Sequence, residues 1–277
     1  MTPALATGIG LRTPHIGEIS ARRPAVGFLE VHTENYFGGG AKLKTLARLR
    51  ETYPLSFHGV GLSLGSATGL DTGHLAQVAE LVQRFEPILV SEHLSWSAYG
   101  HLAVPDLLPV PFTREALGTF VRHVDQFQSA INRQVLIENP STYLAFDGLD
   151  FDEPEFLSLL AERTGCAILL DINNIFVSAH NLGHDPLAWF DGLRGEVGQY
   201  HLAGHDAGPG GLLVDTHGQP VSDAVWALYD AARPRFGDHP ALIEWDSALP
   251  PLDVLLAEAA RADARRGLVT EALRHAL

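Results

Sequence analysis

The sequence has almost no means of covalent cross-linking. Its 277 residues include one cysteine, Cys166, which excludes both a disulfide framework and a zinc site built from thiolates within the chain. Cys166 lies in the apolar run CAILLD, where a thiol packs like a small hydrophobic side chain. We therefore predict that Cys166 is buried and unreactive.

Basic residues are few. The chain has 19 Lys and Arg residues against 33 Asp and Glu residues, and its formal net charge is −14. Proteins that bind nucleic acids rely on clustered Lys and Arg to neutralise phosphates. The composition therefore predicts no nucleic-acid partner.

Long apolar runs are absent as well. No stretch approaches the roughly 18 apolar residues that a membrane-spanning helix requires. The N-terminal residues MTPALATGIGLRTPHIGE also lack the charged segment and the long apolar segment of a secretory signal. We therefore predict a cytoplasmic protein without a membrane partner.

The chain does have the composition of a globular protein, with 46% hydrophobic and 19% charged residues. Eight short apolar runs typical of strands alternate with longer segments of helical periodicity. These runs are Gly8–Arg12, Val26–Thr33, Leu55–Leu64, Ile88–Trp96, Gln134–Asn139, Cys166–Asn174, Gln199–His205 and Ala241–Asp246. Because strands that alternate with helices pair in parallel, the pattern predicts an α/β fold, a (β/α)8 TIM barrel.

An open doubly wound sheet is the alternative fold. The sequence lacks both a GxGxxG segment that opens a helix and a Walker motif, which disfavours this alternative. No internal repeat and no linker rich in Pro, Gly or Ser interrupts the chain. We therefore predict a single domain that spans residues 1–277.

Most of the predicted strands end in ionisable side chains. The residues at these ends are His58, Glu92, His93, Glu138, Asp171, His201 and Glu244, and the second strand carries Glu30, His32 and Glu34 in the same manner. In a parallel barrel the carboxyl ends of all strands meet at one face, where active sites are built. We therefore expect these side chains to be neighbours although they are far apart in sequence.

A second concentration of polar residues lies in the segment YHLAGHDAGPGGLLVDTHG, residues 200–218. Asp215 and His217 have the i, i+2 spacing that places two side chains on one side of an extended segment. The glycine-rich GPGG before them can let this loop fold over the strand ends. His201 and His205 form the other pair, and His205 is either a metal ligand or a residue that orients one.

The predicted mouth of the barrel thus collects four carboxylates and four imidazoles. They are Glu138, Asp171, Asp215 and Glu244, with His58, His93, His201 and His217. Carboxylates a few ångströms apart oppose one another's ionisation, and bound divalent cations relieve that repulsion. Eight ligands exceed what one six-coordinate ion can use, so we predict at least two metals, bridged by Glu138 or Asp171.

The ligand types narrow the choice of metal without deciding it. Nitrogen and oxygen ligands without sulfur suit iron, manganese or zinc, and mixed His and carboxylate ligation with open positions is typical of non-haem iron oxygenases. Three asparagines near these ends have more than one possible role. They either bind a metal through their side-chain carbonyl oxygens, orient its ligands, or only form the turns at the strand ends: Asn139, Asn173 and Asn174.

Nine segments in this order resemble the DUF692 family, the multinuclear non-haem iron-dependent oxidases. They are GIGLR, FLEVHTENYF, FHGVGLSLGS, SEHLSW, LIENPSTYL, LLDINNIFVSAHN, YHLAGH, DTHGQPV and IEWD. The resemblance covers the chain from Gly8 to about Asp253. It implies a TIM barrel with two or three irons in mixed Fe(II)/Fe(III) states, with O2 as co-substrate.

The resemblance also implies a substrate, a partner and a set of site residues. Relatives modify ribosomally made precursor peptides, several of them at cysteine, with a separate protein that recruits the peptide. By similarity His58, His93, Glu138, Asp171, His201, Asp215, His217 and Glu244 match the iron-binding positions, and Asn174 stands at a further metal-binding position. The resemblance further assigns catalytic roles to His58, His93, Glu138 and Asp171. Asn174 departs from the pattern, because the methanobactin-type enzyme has a histidine at that position. An amide oxygen is a weaker ligand than imidazole, so the departure bears on whether a third iron is bound.

Two other functions remain open from the sequence. One is a hydrolase or isomerase like xylose isomerase or endonuclease IV, which uses zinc or manganese to activate water or polarise a carbonyl of a small substrate. The other is a metal-binding scaffold without catalysis, whose metal would be fully coordinated by protein ligands.

Overall fold

The computed structural model describes residues 5–100 and 102–268. Eight parallel strands form a closed barrel, which confirms the predicted TIM barrel. The barrel strands are β1 (Gly8–Gly10), β2 (Leu29–His32), β3 (Leu55–His58), β4 (Leu89–His93), β7 (Leu136–Glu138), β8 (Ala167–Asp171), β9 (Val197–Leu202) and β12 (Ala241–Ile243). Each strand lies beside its neighbour in sequence, and β12 closes the barrel on β1.

Helices cover the outside of the barrel. They are α1 (Ile16–Arg22), α2 (Gly40–Arg50), α3 (Thr72–Phe85), α4 (Arg114–Ile131), α5 (Glu153–Thr164), α6 (Ile172–Leu182), α7 (Pro186–Gly192), α8 (Asp223–Phe236) and α9 (Leu252–Arg265). Several begin at a side-chain cap: Asp71 accepts hydrogen bonds from the backbone at the start of α3, and Ser222 does so for α8. Within the described residues, no helix is both long and apolar enough to cross a membrane.

Two antiparallel hairpins, which the sequence analysis did not predict, stand apart from the barrel. The first pairs β5 (Trp96–Tyr99) with β6 (Leu102–Leu108), and the second pairs β10 (Asp206–Ala207) with β11 (Leu213–Val214). Both follow a barrel strand at its carboxyl end, so they extend the loops at that end. The second hairpin contains the glycine-rich segment that we expected to fold over the strand ends.

Several predicted strands were too long at their carboxyl ends. The clearest case is the sixth, predicted to reach Asn174, because Ile172 already begins α6. The reason is Asp171, whose carboxylate accepts a hydrogen bond from the backbone N–H of Asn174 at 2.6 Å and caps the helix. The third barrel strand likewise ends at His58 rather than Leu64.

The barrel interior is apolar except for one polar network beneath the mouth. The core contains fully buried residues such as Ile9, Leu29 and Phe57. Glu30 lies among them, and it accepts hydrogen bonds from Ser56 at 2.8 Å and Gln199 at 2.7 Å. Both bonds are made to Oε2, whereas Oε1 lies 3.0 Å from His201 Nε2. These contacts hold Glu30 below the site described next.

Cys166 provides a test of the packing. It is buried, as predicted, and burial raises the pKa of its thiol to about 11. Because the reactive species is the thiolate, we expect no reaction of native protein with Ellman's reagent at pH 8 over an hour. In denaturant one thiol per chain should react. Rapid reaction of the folded protein would contradict this packing.

Candidate metal centre

A polar cavity of about 230 Å³ opens at the carboxyl ends of the barrel strands. Residues from seven barrel-strand ends or the loops that follow them line it, including His32, His58, His93, Glu138, Asn174, Asp215, His217, Glu244 and Asp246. This is the face at which TIM barrels build their active sites. The geometry therefore gathers the ionisable strand ends into one pocket.

The first group within the cavity consists of His58, His93 and Glu138. The Nε2 atoms of the two histidines lie 3.2 Å apart, and they lie 3.2 and 3.4 Å from Glu138 Oε2, respectively. His93 Nδ1 donates to the carbonyl oxygen of Gly59 at 3.0 Å, and His58 Nδ1 contacts Ser91 Oγ at 2.8 Å. These contacts hold each ring so that Nε2 faces the carboxylate, as is usual for histidine ligands of metals.

A second group of possible ligands also contains Glu138. One ligand atom from each of Glu138, Asp171, His201 and Glu244 lies within 4.8 Å of the others. His201 Nδ1 lies 3.0 Å from Glu244 Oε2, and its Nε2 lies 3.0 Å from Glu30 Oε1. Glu138 therefore belongs to both groups, and His201 also has a ligand atom within 4.8 Å of those of His58 and Glu138.

The loop after β11 adds Asp215 and His217. Asp215 Oδ1 lies 2.8 Å from His217 Nε2, and His217 Nδ1 lies 3.4 Å from Glu244 Oε2. Asn173 donates to Asp215 at 2.7 Å. His217 has a left-handed backbone with φ of +46°. This conformation is strained for a residue with a Cβ, and such strain tends to occur at functional sites.

Three buried oxygen atoms at this site have no hydrogen-bond partner among the described residues: Glu138 Oε2, Asp171 Oδ2 and Asn174 Oδ1. Buried polar atoms in native proteins are rarely left unpaired, and ligation of an ion is one of the recognised explanations. All three atoms are hard oxygen donors, and imidazole nitrogens of His58 and His93 lie near Glu138 Oε2. The donor set therefore fits divalent cations, and more than one of them.

Burial and charge perturb the ionisation of the carboxyl groups. Burial raises the pKa of Glu138 to about 8 and that of Asp171 to about 7. Glu244 behaves differently: although burial opposes it, the neighbouring His201 and His217 hold the pKa of that carboxyl well below its usual range. For His93, burial is likewise outweighed, and Glu138 and Glu92 raise its pKa to about 9. Without a cation, the site therefore retains protons that a metal would displace.

The remaining polar residues of the predicted site lie around this pocket. Asn139 is bonded twice to the backbone of Asp171, at 3.0 and 2.9 Å, so it joins two strand ends. Asn174 donates to the carbonyl oxygen of Asn139 at 3.0 Å and leaves its own oxygen free toward the site. His205 contacts Asn173 Oδ1 at 2.7 Å. Asn173 thus contacts both His205 and Asp215.

Several residues that support the ligand candidates could not be recognised as such from the sequence. Glu92 accepts hydrogen bonds from the backbone of Leu62 at 2.7 Å and of His93 at 2.6 Å. Arg12 bonds Asp246 through Nε at 2.7 Å and contacts His32 Nε2 at 3.0 Å. His32, Glu244 and Asp246 form a further group of possible ligands. Glu92 and His32 were recognised as polar residues near strand ends, but nothing in sequence spacing separated ligands from supporting residues.

The pKa values predict how a bound metal changes the pH dependence of stability. In the metal-free protein, Glu138, Asp171 and His93 have raised pKa values. Between pH 6 and 9 the folded state therefore holds more protons than the unfolded state, and its free energy of unfolding falls as pH rises. Metals bind the deprotonated ligands, so their stabilisation should grow over the same range.

Calorimetry in EDTA and in excess Mn²⁺ at pH 6.0 and 8.5 measures this effect. The metal-free Tm should be lower at pH 8.5, by about 2–4 °C for each kcal/mol lost. The increase in Tm on adding metal should be larger at pH 8.5. Glu138→Gln should weaken both trends. An equal effect of metal at the two pH values would contradict the proposed ligands.

Comparison with solved structures supports the fold alone. A D-tagatose 3-epimerase-like protein has a TM-score of 0.61 at 13% identity and covers 98% of each chain. D-psicose 3-epimerase, solved in the presence of D-fructose, has a TM-score of 0.59 at 12% identity over 94% of this chain and 97% of its own. Identities this low establish a shared barrel and nothing of its chemistry.

Relatives by sequence are much closer. A UPF0276 protein of Chromobacterium violaceum is 49% identical over 261 residues, which are 94% of this chain and 94% of the relative. A UPF0276 protein of Caulobacter vibrioides is 48% identical over 266 residues, covering 95% and 94%. The model of the family described as "RiPP precursor modification enzyme MbnB/TglH/ChrH" matches residues 6–266. The resemblance to DUF692 is thereby confirmed, and the chain belongs to this family of peptide-modifying enzymes.

Proposed function

We propose that this protein is an iron- and O2-dependent oxidase that modifies a ribosomally made precursor peptide at cysteine. The observation that carries the proposal is the surplus of buried nitrogen and oxygen ligands around Glu138, without sulfur, in a chain of a peptide-modifying family. This ligand chemistry suits non-haem iron. In this proposal the enzyme acts in the cytoplasm, and a separate protein recruits the precursor peptide.

The two groups around Glu138 suggest how the ions would be held. His58, His93 and Glu138 would hold one iron, with Glu138 as the bridging ligand. The ligands of a second iron would come from Asp171, His201, Asp215, His217 and Glu244. Asn174 would be the contact to a third iron, and its amide oxygen is a weaker donor than the imidazole that the methanobactin-type enzyme has there. Two occupied positions are therefore our expectation.

Iron supplies the one-electron chemistry with O2 that no amino-acid side chain can provide. The protein's own contribution is orientation and exclusion of water. Ser91 and Gly59 fix the rings of His58 and His93, and Glu30 supports His201 from below. The cavity of about 230 Å³ admits a side chain of the peptide rather than a folded domain. The substrate would thus present one residue to the site from outside the barrel mouth.

Elemental analysis and oxygen consumption together test this function. Protein purified without oxygen should contain mainly iron. With the candidate precursor peptide and partner protein encoded by neighbouring genes, it should consume O2 and change the peptide's mass. His58→Ala and Glu138→Gln should each lower the rate by more than about tenfold, since loss of metal-site groups has effects of this order.

The control is His239→Ala, because His239 precedes β12 at the opposite end of the barrel and contacts the carbonyl oxygen of Phe236. It should retain near-normal activity. A protein that holds zinc or manganese and acts on small substrates without O2 would instead favour the hydrolase or isomerase alternative. Iron-loaded protein that leaves the peptide unchanged and consumes no O2 would refute the proposal.

A further inference from the structure

A second cavity, of about 600 Å³, lies beside the metal centre. We call it the side groove. It is bounded by the segment that follows β7 and by helices α5, α6 and α7, and its apolar lining includes Phe112, Leu144, Leu149, Ile175, Leu182 and Trp189. Its volume is in the range of binding sites for small ligands and a few side chains. The mechanism proposed above makes no use of it.

One stretch of chain separates the side groove from the metal cavity. Pro140 lines both cavities, Ser141 and Tyr143 line the metal cavity, and Thr142 and Leu144 line the side groove. Two hydrogen bonds hold this wall: Thr142 N–H donates to Ser178 Oγ, and Asp215 N–H donates to Tyr143 Oη, both at 2.8 Å. The two cavities are therefore adjacent, and a chain that leaves one can enter the other over a single strand-like wall.

One end of the side groove is lined by acidic residues, and one carboxyl oxygen there lacks a hydrogen-bond partner. Asp152, Glu153 and Asp185 line it, and no Lys or Arg is among the described residues that do. Glu153 Oε1 is buried without a hydrogen-bond partner, while Oε2 accepts from Trp189 Nε1 at 3.3 Å. Burial raises the pKa of Glu153 to about 8. A cationic side chain that reaches Glu153 favours the charged form of this carboxyl and gives Oε1 the partner that it lacks.

The rim of the side groove exposes apolar side chains that a soluble protein rarely leaves uncovered together. Leu144 is 62% exposed, and Leu149 and Phe146 are 41% and 38% exposed, respectively. Contiguous apolar surface next to polar groups is typical of an interaction site. A second copy of this chain is a poor occupant, because its net charge of −14 opposes contact with an acidic groove.

We propose that the side groove binds an apolar segment of the peptide substrate that carries a lysine or arginine near the modified residue. The cation pairs with Glu153, the apolar side chains cover Leu144 and Leu149, and the modified residue reaches over the wall at Pro140 into the metal cavity. This inference rests on the proposed function for the identity of the occupant. It adds a recognition site on the barrel itself, distinct from any recruiting partner.

Selection from a library of random twelve-residue peptides tests the proposal on the full-length, metal-loaded protein. Two variants alter the groove: Ala188→Trp fills it from an exposed position on α7, and Glu153→Gln replaces the carboxyl that an incoming cation would ionise with a neutral amide. Matched controls are Ala76→Trp on α3 and Glu155→Gln on α5, both exposed and outside the groove lining. Fluorescence polarisation then gives dissociation constants for the enriched peptides.

Enriched peptides should combine apolar residues with Lys or Arg. Ala188→Trp should weaken their binding at least tenfold, and Glu153→Gln should weaken it about fivefold and abolish the preference for Lys over Glu. Both controls should bind as the wild type does. Peptides that bind all variants equally, acidic peptides, or no enrichment would overturn the proposal. So would a groove-dependent dimer in light scattering, which would identify a second copy as the occupant.

The binding measurement requires neither O2 nor turnover. Its failure would leave the oxidase test untouched, and an inactive metal centre would leave the peptide selection interpretable. The two proposals can therefore fail separately.

Discussion

The crowding of buried carboxylates and imidazoles around Glu138 is the constraint on which the rest of the structure depends. Glu138, Asp171 and Glu244 are all buried, and ligand atoms of Glu138, Asp171, His201 and Glu244 lie within 4.8 Å of one another. Such a cluster is unfavourable unless protons or cations compensate it. The barrel tolerates it because each ring and carboxylate is fixed by a second contact, as with Glu30 below His201 and Ser91 behind His58.

The sequence contained enough to predict the barrel and the convergence of its polar strand ends. The barrel follows from the alternation of apolar runs with segments of helical periodicity. The convergence follows because parallel barrel strands all end at one face. His58, Glu138, His201 and Glu244 could be found in this way. The predicted ends of strands were less accurate, because Asp171 is both the last strand residue and the cap of α6, and a cap is a local interaction that apolar periodicity does not report.

Other parts of the site depend on tertiary contacts that sequence spacing does not reveal. Glu92 carries the same chemistry as a ligand, yet its oxygens accept backbone N–H groups of Leu62 and His93, and only coordinates reveal such partners. The role of His205 depended on a loop contact with Asn173. The side groove is built from a wall, three helices and the rim of a loop, so no single motif signals it.

The barrel itself says little about chemistry. Sugar epimerases have the same fold at 10–15% identity, whereas UPF0276 relatives are 44–49% identical along nearly the whole chain. Function resides in the side chains that the fold presents. In this protein they form a ligand-rich pocket beside an apolar groove with a negative end, which is a suitable arrangement for modifying one residue of a longer peptide.

The most direct test of the central claim is anomalous diffraction at the iron edge from crystals of protein prepared without oxygen. The account predicts two iron peaks that flank Glu138, one bound through His58 and His93 and the other through ligands that include Asp171 and Glu244. A single peak, peaks away from Glu138, or an empty cavity whose carboxyls bond only to one another and to water would contradict it.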